Sequence, residues 1–142
     1  MTAERRILRW ALLLGALAAL TGVMAGAFGA HGLRQSVTPR SLEVFQTGVT
    51  YQMYHALGLL AVALLGLAGL GRRWLTLAGG FFVLGIVLFS GSLYGLVLLQ
   101  WTTLGPVTPI GGLCFMIGWV CLMIAAVKRQ PEDDQRVDPT ER

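Results

Sequence analysis

Three stretches of the chain carry no Asp, Glu, Lys or Arg: Trp10 to Ala30, Val44 to Gly71 and Trp74 to Val127. Charge-free apolar runs above about 18 residues read as transmembrane helices. The third stretch is long enough for two of them, and the turn-like segment Gln100-Trp101-Thr102-Thr103-Leu104-Gly105-Pro106 divides it. The pattern therefore predicts an all-α fold, a four-helix transmembrane bundle with spans at about 10–30, 48–69, 75–99 and 107–127. Residues 1–127 form one membrane domain on this reading, and the tail 128–142, rich in Pro, Asp and Glu, is expected to be disordered and cytoplasmic.

Within the runs, small residues recur at helical spacing. The first span carries Ala11, Gly15, Ala18, Gly22, Ala25 or Gly26, and Gly29. The fourth carries Gly111, Cys114, Gly118, Cys121 and Ala125. Such seams let helix backbones approach closely, so Gly22, Gly26, Gly111 and Gly118 are predicted packing positions. The cysteines fit the seam as packing residues. Seven residues apart on one helix, their Cα atoms lie roughly 10 Å apart, too far for a disulfide.

A short amphipathic connector, Arg34 to Gln46, joins the first two spans. Thr38 before Pro39 is an N-cap followed by proline at the first helical position, and Leu42, Phe45 and Val49 continue at helical spacing into the second span. Glycines on both sides of His31 predict a tight C-cap exit from the first span. Arg5, Arg6 and Arg9, the apolar run and Ala25-Gly26-Ala27 together resemble a signal peptide, but the run exceeds the usual apolar core of about 7–15 residues, so it is read as an uncleaved span.

Composition agrees with the pattern. Of 142 residues 55% are hydrophobic and 13% charged, the latter about half the usual share, and the mean hydropathy is +0.68. The sequence pI near 9.7 does not argue for nucleic acid, because the basic residues mark topology. Near the membrane Arg5, Arg6, Arg9, Arg72, Arg73, Lys128 and Arg129 fall on one side, against Arg34 and Arg40 on the other. The positive-inside rule then places both termini in the cytoplasm of a plasma (inner) membrane protein. Trp10 and Trp74 are expected at the inner interface, and Tyr51, Tyr54 and Trp101 at the outer one.

With that orientation the polar residues gather in the outer leaflet: Tyr51, Gln52, His55, Ser90, Ser92, Tyr94 and Thr108, with His31 at the surface. On one helix Tyr51, Gln52, His55 and Leu59 share a face. Polar groups in hydrocarbon need partners. One reading is an interhelical hydrogen-bond network that sets register. The other is an outward-facing pocket for a headgroup, quinone or proton, with His55 as its titrating group. In either, His55 is expected to face the interior and bond to Tyr94, Ser90, Thr108 or the backbone near His31.

No catalytic residue, metal ligand set or cofactor site is assigned. The spans hold no carboxylate beside the histidines, whereas catalytic zinc wants three protein ligands; bis-histidine haem through His31 and His55 is conceivable, but nothing selects it. No nucleophile–base motif, phosphate loop or Cys-x-x-Cys is present. The expectation is a non-enzymatic structural or accessory membrane component. Its partner is the lipid bilayer, with a homo-oligomer or a partner membrane protein at its small-residue faces. The alternative is a small-ligand-binding or transporter-like protein using the pocket around His55, and a membrane enzyme ranks below both.

Four ordered motifs carry a family resemblance: Gly26-Ala27-Phe28-Gly29-Ala30-His31-Gly32-Leu33, Tyr51-Gln52-x-x-His55-Ala56-Leu57, Leu88-Phe89-Ser90-Gly91-Ser92-Leu93-Tyr94 and Thr108-Pro109-Ile110-Gly111-Gly112. The chain resembles the small membrane proteins of domain of unknown function 423, to which the eukaryotic transmembrane-protein-256 group is similar. The resemblance implies four spans and an inner-membrane location, and it supplies no activity.

Overall fold

The computed structural model describes residues 3–128, with side chains described from Arg9 onward, so past Lys128 the predicted tail lies outside the described residues. Five α-helices follow in order: α1 (Ala3–Phe28), α2 (Pro39–Leu67), α3 (Arg72–Gly85), α4 (Gly91–Leu98) and α5 (Val107–Val127). A π-helical turn, Gly29–Leu33, extends α1, and a second, Ile86–Ser90, joins α3 to α4 into one continuous rod. Four units are long and apolar enough to cross a membrane: Arg9–Leu33, Pro39–Leu67, Arg72–Leu98 and Thr102–Val127. Among the described residues all regular structure is helical. The fold is the four-helix transmembrane bundle that the charge-free runs predict.

The connector is mostly helix. Thr38 caps α2, its Oγ1 accepting the Ser41 N–H at 3.1 Å, with Pro39 at the first helical position. From there Arg40 to Gln46 are simply the first turns of the second span, and Phe45 is buried. The C-cap expected around His31 is absent: neither Gly29 nor Gly32 has a positive φ, and the chain continues through the π-helical turn. Gly29 instead makes room for the Phe45 ring, which a Cβ there would meet at 3.1 Å. The left-handed exit occurs one span later. Gly69 has φ +76°, its N–H reaches Gly66 O at 3.4 Å, and Leu70 N–H reaches Leu65 O at 3.3 Å, the Schellman pattern.

Packing follows the small-residue seams. The face of α1 carrying Ala11, Gly15, Gly22 and, beyond its end, Gly29 is buried, mainly against α2. Its other face leaves Leu13, Leu17, Leu20 and Met24 exposed, so α1 is peripheral. The centre belongs to α2, α3 and α5, where Leu59, Val62, Leu75, Ala78 and Phe82 are fully buried. A Cβ on Gly118 would meet the Phe82 ring at 2.6 Å, and one on Gly111 would overlap the Phe89 backbone. Cys114 and Cys121 are buried free thiols in the same seam. Trp10, expected at an interface, is half-buried and covers Gly79 of α3.

Candidate functional site

The predicted polar residues lie towards one end of the bundle, and the structure sorts them into four hydrogen-bonded sets with different partners. Gln52 joins three elements. Its Nε2 donates to Ala18 O and Thr21 Oγ1 of α1, both at 2.9 Å, while its Oε1 accepts from Tyr94 Oη of α4 at 2.8 Å. A glutamine can serve this role because its amide carries two donors and an acceptor on one end. Gly22 makes the site possible, since a Cβ there would meet Met53 Sδ at 2.6 Å. At Gly26, one turn on, a Cβ would meet Val49 Cγ1 at 3.4 Å, an ordinary contact.

The end of the second π-helical turn and the start of α4 carry one set each. Ser90 Oγ donates to Gly48 O of α2 at 2.7 Å, fully buried. Ser92 Oγ donates to Phe89 O at 2.9 Å and lies 2.7 Å from Thr108 Oγ1, linking α4 to α5. Gly48 also admits the Tyr94 ring, which a Cβ would meet at 2.9 Å.

His55 stands apart from these sets. It is 4% exposed and faces α5, with its ring stacked on Phe115 at 3.4 Å between centroids and 7° between planes. Trp119 Nε1 donates to His55 Nε2 at 3.2 Å, and His55 Nδ1 lies 2.7 Å from Tyr51 O. An indole N–H can only donate, so Nε2 is the acceptor and the proton sits on Nδ1, where it is given to the Tyr51 carbonyl. Both nitrogens of a neutral imidazole are thereby used. The partners expected for His55 are corrected by this geometry: Tyr94 serves Gln52, Ser90 serves Gly48, Thr108 serves Ser92, and His31 is exposed on the first π-helical turn. The shared face splits for the same reason. Residues three apart on a helix differ in direction by about 60°, enough for Gln52 to meet α1 and α4 while His55 meets α5.

Beside His55 the backbones of α2 and α5 stand apart, and aromatic side chains fill part of the gap. What is left is a groove of about 900 Å³ whose walls include Tyr51, Tyr54, Phe89, Leu113, Met116 and Trp119. Tyr51 leans on Phe89, 4.6 Å between centroids. The groove is apolar, and His55 faces it with both nitrogens already engaged. Phe115 and Trp119 were not singled out by sequence, because in an apolar run an aromatic residue reads as lipid-facing or core. The signal available was depth: Trp119 lies well inside the fourth span, where an indole N–H needs a partner. Among the described residues no three His, Cys, Asp or Glu side chains come together.

These features define a class: a multi-span integral membrane protein whose intramembrane polar groups bond across helices. The family description that matches residues 25–112 is "Protein of unknown function (DUF423)". The chain is 51% identical over 119 residues to UPF0382 membrane protein YwdK of Bacillus subtilis (strain 168), covering 82% of this chain and 95% of that protein. It is 48% identical over 118 residues to a UPF0382 membrane protein of Staphylococcus epidermidis (strain ATCC 12228), covering 82% of this chain and 94% of that one. The chain belongs to the DUF423 family of membrane proteins. No solved structure matches it.

Proposed function

We propose that the chain is a non-enzymatic structural or accessory component of the plasma (inner) membrane, with both termini cytoplasmic, acting through its helix surfaces on a partner membrane protein or a second copy of itself. One observation carries this reading: the buried polar side chains Gln52, His55, Ser90 and Ser92 are each bonded within the chain, and none of the buried side-chain nitrogen or oxygen atoms described is left without a partner. A base or nucleophile in waiting needs a free lone pair or a labile proton. Here those groups hold helices in register, and what the molecule offers outward is apolar surface: the open face of α1 and the groove between α2 and α5. The distribution of basic residues supports the orientation.

The test is recovery from native membrane. The tagged full chain, crosslinked in intact cells and purified in mild detergent, is expected to bring with it either a second copy or one membrane protein in fixed stoichiometry. The complex should weaken when Leu17 and Leu20 on the open face of α1 are changed together to Ala. A chain that remains uncrosslinked at every lysine-independent probe position on α1 and α5, and migrates as a lone monomer, would overturn the reading.

A further inference from the structure

At the end of the bundle opposite the polar sets, two basic side chains gather around one indole. Arg72 and Arg73 open α3, and Lys128 closes α5. The two helix ends are held together by backbone packing: a Cβ on Gly71 would meet Lys128 O at 3.7 Å and the Trp74 ring at 3.9 Å. Arg73 Cζ lies 6.0 Å and Lys128 Nζ 5.4 Å from the centroid of Trp74. Cation–π contact of this kind holds a long basic side chain near the ring and leaves its N–H donors free for another acceptor.

No carboxylate answers this charge among the residues with described side chains. The sole acidic one, Glu43, lies at the other end of the bundle, paired with Arg40 at 3.2 Å. Like charges crowded at one place repel, and an anion among them removes that repulsion. The cluster also sits at the ends of two helices long and apolar enough to cross a membrane, Arg72–Leu98 and Thr102–Val127; the end of a span is the level of lipid phosphates, which tryptophan favours.

From this juxtaposition we infer that Arg73 and Lys128 around Trp74, with Arg72 adjacent in sequence, form a binding site for the phosphate headgroup of an anionic phospholipid. Arginine forks onto phosphate oxygens in the plane of its guanidinium, lysine adds a point charge, and the indole anchors both. Basic pockets between helix ends select anionic headgroups in this manner. The site is independent of the role proposed above and of which side of the membrane it faces.

The experiment uses the full chain reconstituted in bilayers of equal phosphatidylglycerol and phosphatidylcholine, with the first retained lipid identified by native mass spectrometry. Each basic side chain near the surface is expected to contribute about a fivefold preference for the anionic lipid. Arg73→Gln with Lys128→Gln should abolish most of that preference and leave thermal stability in pure phosphatidylcholine unchanged. Arg40→Gln, at the other end, should leave the preference intact. Equal retention of the two lipids by the unmodified chain, or a preference that survives the double substitution, would overturn the inference. So would inorganic phosphate raising thermal stability as much as phosphatidylglycerol does. A preference that appears only when Glu132, Asp133 and Asp134 are neutralised would assign the site to the chain's own acidic segment instead, and would overturn it equally.

Discussion

At the scale of single residues, the chain spends its few intramembrane polar groups on specific partners. An average interhelical hydrogen bond in a bilayer contributes about 0.6 kcal/mol, because the separated helices also find partners there. Gln52, with three bonds to two other helices, is thus the largest single polar contributor. His55 is the more informative residue to change. Glutamine at that position retains an acceptor for Trp119 and a donor for the Tyr51 carbonyl, whereas leucine leaves the Trp119 N–H with nothing to meet. His55→Leu is expected to lower stability by about 1–2 kcal/mol, with His55→Gln costing roughly half as much. Thermal unfolding in one detergent checks it, and equal losses would show that stacking on Phe115 outweighs the hydrogen bonds. That His55 is buried was legible in the sequence, since an imidazole facing lipid is costly. Its partner was not legible. Depth says which residues share a level, but pairing depends on how far each helix is rotated about its axis, and only packing sets that.

At the scale of elements, glycines decide which helices touch. A Cβ at Gly111 would overlap the backbone of Phe89, which cannot swing aside as a side chain can, whereas at Gly80 it would meet nothing within 4 Å. Gly111→Ala is therefore expected to push α5 from the second π-helical turn and cost about 1–3 kcal/mol, the range for overpacking. Gly80→Ala should be neutral or slightly stabilising through its better helix propensity. Circular-dichroism melts of the two variants side by side make the comparison. The seam on α5 was readable as a run of small residues every three to four positions. The cap predicted near His31 was misplaced because two glycines there signal close approach as readily as a turn: Gly29 accommodates the Phe45 ring and Gly32 the Phe28 ring.

At the scale of the molecule, one span, α5, separates Thr103 from position 135, so the two are expected on opposite sides of the membrane. Single cysteines at these two positions are expected to differ in reaction with an impermeant maleimide. Cysteine at Thr103 should label in intact cells, and cysteine at Gln135 only after permeabilisation. Cys114 and Cys121 are buried and should contribute little background. Labelling of both from one side would refute the topology. The number of spans was the most legible feature, because span length and hydropathy are properties of the chain alone. The open groove was not. It arises where the backbones of α2 and α5 stand apart and meet only through aromatic side chains, and such a separation leaves no mark in either segment by itself.

The turn at Ile86–Ser90 has a consequence for inheritance. There the Gly91 N–H reaches back to Ile86 O, one residue further than in an α-helix, so the half of the span beyond it is out of phase with the half before by about 100°. That offset lets one rod present Ala78, Phe82 and Gly85 to one set of neighbours and Ser92 and Tyr94 to another. Loss of a single codon here would restore an unbroken α-helix and leave every later side chain of the rod pointing where it does now, because the turn absorbs one residue's worth of rotation. The same loss within α3, with the turn kept, would rotate the later half by about 100°, and Gln52 would lose Tyr94 and Thr108 would lose Ser92. Insertions and deletions are usually absorbed in loops; in this molecule the middle of a span is also a place that can give up one residue and keep its partners.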